Sequence, residues 1–278
     1  MHSLDSKHTS VSVIIPAFHF VKSLEKVINS VESQTILPNQ IIVIDSSNNN
    51  EVKKMIDSYK SSVGIIYKSV SKAYPGEARN LGIKLSSQKW VAFLDSKTVP
   101  NHNWLEEYLQ IIKNESAEVV FGVTKYVAKT EFQNLLKATI YGDNGVETTP
   151  GTLIMRDTFL KLGGFIEGVR TSDDLEWRER VRRNGLKCIT PKEFSLTYSD
   201  ISNSIYLNIK RFFLYQLHAA SIDVQNKMKD IHLAFFLLLS ALVIPRWNAI
   251  IGWKESLFYI PDVTKIYLLS LTSIFALK

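Results

Sequence analysis

A chain of 278 residues that is 45% hydrophobic and 22% charged buries a large core, which excludes a disordered polypeptide and leaves one or two domains. Its formal net charge of +6 suits an anionic partner: nucleotide phosphates, a phospholipid surface or nucleic acid. The sole cysteine, Cys188, excludes an internal disulfide framework and a cysteine-based zinc site, and the first ten residues lack the apolar segment of a secretory signal.

Residues 1–10 read as a disordered tail. From residue 11 to 125, short runs rich in β-branched residues alternate with helical patterns. Residues 11–15, 41–44, 63–67, 90–94 and 119–123 read as strands. Residues 21–34, 51–61, 76–87 and 104–114 carry helical spacing between them. This alternation predicts an α/β fold with a mostly parallel central sheet covered by helices on both faces. From 126 to 200 the pattern changes to a helix over 131–140, a strand over 152–155 and a strongly charged helix over 173–184, closed by Gly185. No linker separates the two halves, so 11–200 reads as one domain.

Residues 201–278 form a C-terminal helical region with two apolar runs, 231–244 and 263–277, the first ended by Pro245 and Arg246. Each run is shorter than the roughly 20 residues of a spanning helix. Interfacial helices, one span tolerating Arg246 and buried core helices all satisfy the pattern. Lys210, Arg211, Lys227 and Lys229 before the first run favour the cytoplasmic face of a membrane.

Five places at the ends of predicted strands or the start of a helix bear chemistry-capable residues. Pro16-Ala17-Phe18 leaves the first strand, where open α/β sheets form their ligand crevice. Asp45 ends the second strand; it can accept hydrogen bonds from a base or ribose, or with Ser46 and Ser47 merely cap the next helix. Gly76-Glu77-Ala78-Arg79-Asn80 opens a helix whose glycine would let a ligand approach and whose Arg79 suits a diphosphate. The apolar run 90–94 delivers Asp95, with Lys97 projecting the same way, an acid and a base able to hold a phosphate with or without a metal. Finally, Asp173 and Glu176 have the spacing of a capping box after Ser172, which leaves Asp174 free to act as a general base.

The segments VSVIIPAF, IIVIDSS, PGEARNLGIKLSSQKWVAFLDS, PGTLIMRDTFLKLGGF and SDDLEWRERVRRNG, in this order and spacing, resemble the family-2 glycosyltransferases of GT-A fold. The resemblance covers about residues 11–198. It implies an inverting, non-processive transfer of one sugar from a nucleotide-diphosphate sugar to a hydroxyl of a glycan or polyprenyl-linked acceptor. It implies that Pro16, Ala17 and Phe18 cup the base, that Asp45 binds the nucleoside, and that Gly76 and Arg79 lie along the nucleotide. It further implies that Asp95 holds the diphosphate through a divalent metal, Mg²⁺ or Mn²⁺, and that Asp174 is the base. Gly151 and Thr152, with Asp173 and Trp177, would line the sugar and acceptor pocket.

Two departures weaken the metal. Lys97 replaces the second acid of the family's Asp-x-Asp motif, and no histidine stands near Leu196-Thr197-Tyr198-Ser199, where relatives place one. Lys97 then either takes over the metal's electrostatic role beside the diphosphate or marks a degenerate site that binds a sugar nucleotide or glycan without turnover. The four acids and bases at matching positions favour catalysis. A dinucleotide-dependent oxidoreductase would need Gly-x-Gly-x-x-Gly after the first strand, which is absent, and no nucleic-acid-binding motif is present.

Overall fold

The structure is a computed structural model that describes residues 8–219, 222, 227–251 and 257–276. It divides into two units, residues 1–222 and 223–278.

In the first unit, β1 (His8–Ala17), β2 (Leu37–Asp45), β3 (Gly64–Ser69) and β4 (Trp90–Phe93) form a parallel block in the order β3-β2-β1-β4. The connecting helices are α1 (Val21–Glu32), α2 (Glu51–Ser58) and α3 (Pro75–Leu85). Alternation along β1 explains why both faces need cover: Val13 and Ile15 join one core cluster, while Ile14 joins the other. Helix α1 meets the first cluster with Leu24, Val27, Ile28 and Val31, the stripe that a 3.6-residue period brings to one face. The chain moves outward from β1 through β2 to β3, then returns to the other side of β1 with β4. That reversal opens a crevice at the carboxyl ends of β1 and β4.

The remaining strands are β5 (Thr98–Pro100), β6 (Val119–Tyr126), β7 (Val146–Met155), β8 (Cys188–Ile189) and β9 (Leu196–Tyr198). They extend the sheet in the order β7-β6-β9-β5, with β8 beside β6. Here the expectation of a mostly parallel sheet needs correction. β7 runs antiparallel to both β4 and β6, and β5 runs antiparallel to β9, so the complete sheet is mixed. Helices α4 (Trp104–Glu115), α5 (Glu131–Ile140), α6 (Arg156–Leu162), α7 (Asp173–Arg183) and α8 (Ile205–Ala219) complete the unit.

Three boundaries also shift. Residues 8–10 of the expected disordered tail belong to β1, where His8 and Thr9 pair with Leu37 and Pro38; the rest of that tail lies outside the described residues. Helix α8 falls in the first unit, so the division lies beyond residue 200. In the second unit, α9 (Lys227–Ile251) runs on through Pro245 and is followed by α10 (Asp262–Ala276). The buried Asn248 side chain both donates to the Ile260 carbonyl (2.7 Å) and accepts from its N–H (3.0 Å), closing the connection between these helices. Lys265 reaches Asp262 at 2.7 Å and the Pro245 carbonyl at 3.4 Å. Phe235, Leu238 and Leu242 on α9, and Val263, Ile266 and Leu271 on α10, are exposed. Among the described residues no helix is long and apolar enough to cross a membrane.

Candidate active site

A crevice of about 580 Å³ opens at the β1/β4 reversal. Pro16, Ala17 and Phe18 line one end, with Ser46 and Asn48 from the end of β2. Backbone geometry ties these two loops together. The Ser46 N–H donates to the Ala17 carbonyl at 3.0 Å, and the His19 N–H donates to Ser47 Oγ at 2.8 Å. His19 takes a left-handed conformation (φ 61°) at this turn, and Phe18 is 53% exposed at the rim. The other walls come from the segment before α3 (residues 71–74) with Pro75 at the helix start, from Asp95, Ser96 and Lys97, and from Arg170, Thr171, Tyr198 and Tyr215.

Asp45 lies behind this wall. It is fully buried, and its oxygens accept from Tyr67 Oη (2.8 Å) and the Ser47 N–H (2.9 Å). The carboxylate therefore shapes the Ser46–Ser47 turn from within. Burial and the bond to Asp45 push the Tyr67 hydroxyl up to about 12.

The helix-opening motif has a different task from the one its sequence suggests. Gly76 is buried, and a Cβ there would sit 2.6 Å from Asp173 Oδ2, so the group that approaches this glycine is a carboxylate of the protein itself. Arg79 is 3% exposed; its guanidinium donates to Asp95 Oδ1 at 2.7 Å and to Asp173 Oδ2 at 3.4 Å. Asn80 donates to the Phe165 carbonyl at 2.9 Å and accepts from the Phe165 N–H at 2.8 Å. Glu77 accepts from the N–H groups of Tyr74 and Gly168, at 2.8 and 2.7 Å. The whole motif thus brackets the loop that leads into α7. An arginine free to lie along a ligand is replaced by one that locks the acid at the end of β4 to the first turn of α7.

The capping box expected of Asp173 and Glu176 does not form. Asp173 turns inward to Arg79, while Glu176 pairs with Arg180 at 2.8 Å. Arg180 also donates to the carbonyls of Leu162, Gly163 and Gly164, so α7 is fixed by a long cation instead of a cap. Ser172 enters the helix at φ 67°, an uncommon conformation for a non-glycine residue. Burial raises the Asp173 carboxyl to about 6, against the pull of Arg79 and with the help of Asp174 and Asp95. One guanidinium thus pairs with two acids, Asp95 and Asp173.

Asp174, next in sequence, is half-buried, and among the described residues it makes no hydrogen bond or ion pair. Its charge acts on Arg79 and, with that of Asp95, on Tyr126, whose hydroxyl is raised by burial first and then by these neighbours. Tyr126 stacks on Tyr141 with centroids 3.7 Å apart and lies 5.4 Å from the ring of Tyr198.

Three expected pocket residues belong to the core. Trp177 is fully buried against Phe93, Phe159 and Phe165, with ring centroids 5.8, 5.5 and 4.9 Å away. Thr152 is fully buried; its hydroxyl accepts from the Gly122 N–H at 3.0 Å and donates to the Thr148 carbonyl at 3.0 Å, spanning the register shift between β6 and β7. Gly151 is buried at φ 87°, where a Cβ would press on Leu196 at 2.2 Å, and its carbonyl accepts from Trp104 Nε1. With Asp173, which is 3% exposed, these residues support the crevice from behind instead of lining it.

The sequence reading missed Phe20, Arg170, Tyr198, Asp200 and Tyr215. Lys97 joins two of them: its ammonium pairs with Asp200 and stands 3.3 Å from the centroid of Phe20. The antiparallel pairing of β5 with β9 makes this contact, and only the register Thr98↔Tyr198 would have revealed it.

The donor set is poor in ligands for a divalent cation. Asp95 is engaged by Arg79, the position two residues on is an ammonium, and among the described residues no three His, Cys, Asp or Glu side chains group as ligands.

The crossover sheet with its crevice at the β1/β4 reversal is a GT-A-like α/β fold. A mannosyltransferase from Pyrobaculum calidifontis, solved in complex with GDP-Man and Mn²⁺, superposes with a TM-score of 0.66 at 16% identity, covering 97% of this chain and 81% of that one. Residues 1–349 of Staphylococcus aureus TarS, solved with UDP-GlcNAc, superpose at 0.56 and 14% identity, covering 95% of this chain and 72% of that one. In sequence, the model of glycosyl transferase family 2 matches residues 12–171, and the chain belongs to that family. An uncharacterized glycosyltransferase of Rickettsia bellii is 30% identical over 79% of this chain, which spans 33% of that relative's length.

Proposed function

We propose that the chain transfers a sugar from a nucleoside diphosphate sugar to a hydroxyl of a glycan or lipid-linked acceptor, inverting the anomeric centre. The observation behind this reading is the Arg79 lock. It holds the crevice acid Asp95 and the first turn of α7, where the Asp174 carboxylate has no hydrogen-bond or ion-pair partner among the described residues, on a single buried guanidinium. Asp174 takes the proton of the acceptor hydroxyl as its oxygen bonds to the anomeric carbon. The bond from that carbon to the phosphate oxygen breaks, and the diphosphate leaves with the electron pair. The base rests between Phe18 and the loops of Pro16-Ala17 and Ser46–Asn48, which Asp45 stiffens from behind. The tyrosines at 126, 141 and 198 offer ring faces and hydroxyls to the acceptor beside Asp174.

The names of the structural neighbours support this donor class, since one was solved with UDP-GlcNAc and one with GDP-Man. A thermal-shift screen of UDP-, GDP- and dTDP-sugars tests it: one series should raise the melting temperature of the wild type. The absence of stabilisation by any of them would contradict the reading.

The acceptor is proposed to be met at the cytoplasmic face of a membrane. The exposed apolar side chains of α9 and α10, and the exposed Ile205, Ile209 and Phe213 of α8 beside Lys210 and Arg211, support this placement. Flotation with vesicles containing anionic lipid should carry the chain upward. A chain left at the bottom of the gradient would remove the membrane from the proposal.

A further inference from the structure

We infer that Lys97 is the resident cation of the donor site, parked on Asp200 and released to the diphosphate when the donor binds. The inference rests on the donor reading above and goes beyond it by naming how the leaving group's charge is met. The ammonium lines the crevice with Asp95 and Ser96 and is mostly shielded, its side chain being 14% exposed. It is held on one side by Asp200, whose side chain is 57% exposed, and on another by the face of Phe20.

Electrostatics sets the direction of the exchange. A diphosphate in the crevice brings at least two negative charges to a cation that Asp200 meets with one. Asp200, being mostly exposed, is rehydrated at little cost when released. The face of Phe20 attracts the ammonium without bringing a charge that would compete with the diphosphate. Arg79 cannot substitute, because its guanidinium is buried and divided between Asp95 and Asp173. The position where the Asp-x-Asp motif would place its second acid instead carries an ammonium, paired with Asp200 just beyond β9. Once released from that pair, the ammonium supplies positive charge with no metal bound. As the sugar–phosphate bond breaks, Lys97 stabilises the charge growing on the leaving diphosphate.

Isothermal titration with UDP, GDP and dTDP, each in EDTA and then in Mn²⁺, tests the inference. The wild type should bind one of them in EDTA, with affinity changed less than threefold by Mn²⁺. Lys97→Ala should weaken that binding at least tenfold, Lys97→Arg should restore most of it, and Asp200→Asn should leave it equal or tighter. Thermal melting of each variant checks that the fold is retained. Binding that requires Mn²⁺, or that ignores Lys97→Ala in a folded variant, overturns the inference and leaves the donor reading intact. No binding of any of the three nucleotides under any condition overturns both.

Discussion

The two halves of the sheet reach the same crevice by different routes. In the parallel block, each strand simply ends at the crevice: β1 delivers Pro16–Phe18, β2 delivers Ser46 and, beneath it, Asp45, and β4 delivers Asp95. Position there follows from local strand direction. The antiparallel half contributes by long-range pairing, as when β9 lies against β5 and brings Asp200 to Lys97, 103 residues away. Joining the halves is the α3 motif, which holds the loop before α7 through Glu77 and Asn80 and the first turn of α7 through Gly76 and Arg79. The consequence is a division between neighbours: Asp173 is spent on the joint, whereas the Asp174 carboxylate makes no hydrogen bond or ion pair among the described residues and is the base we propose.

The sharpest way to break that division is to neutralise the two acids separately. Asp174→Asn should lower transfer by roughly 10²–10⁴-fold while donor binding and melting temperature stay close to wild type. Asp173→Asn in the same assay should keep far more activity; equal losses would show that the two acids are not distinct. Cutting the joint itself should cost stability instead. Arg79→Met strands Asp95 and Asp173 beside a buried apolar group, and denaturant unfolding should register a loss of about 3–5 kcal/mol. A loss within experimental error would mean that the bracket does not hold α7.

Acid titration sharpens the comparison further. The folded-state value of Asp173, about 6, lies above the usual carboxylate value of about 4. The folded chain therefore holds a proton that the unfolded chain has released between those values. The resulting stabilisation is complete below about pH 4 and is lost as pH rises through about 6. Relative to Asp173→Asn, the wild type should lose on the order of 2 kcal/mol across that window. Parallel stability curves would contradict the assignment. The smallest effect belongs to the rim, where Phe18→Ala should raise the donor KM several-fold and move stability by less than about 0.5 kcal/mol.

Much of the parallel block was legible in the sequence, because continuous β-branched runs, helical spacing and strand-end acids are local signals. Helix α5 matches its expected span, and α1, α3 and α4 differ only at their ends. The second half was less legible. Strands as short as β5 and β8 carry too few residues for a period, and the reversed direction of β7 is a property of pairing. Burial misled at the site for a related reason. Trp177 and Thr152 sit in a motif that reads as functional, yet the aromatic cluster and the β6–β7 register shift claim them. Arg79 read as a phosphate ligand because nothing local reveals that Asp173 folds back onto it. Pro245 and Arg246 close the apolar run 231–244, but α9 continues past them to Ile251.

The most direct measurement is proton NMR of the sugar product formed by the wild type from the nucleotide sugar that the thermal-shift screen selects. The account predicts turnover to a product whose first-formed anomer is inverted relative to the donor, and its disappearance in Asp174→Asn. A retained anomer, or undiminished turnover in that variant, would contradict it.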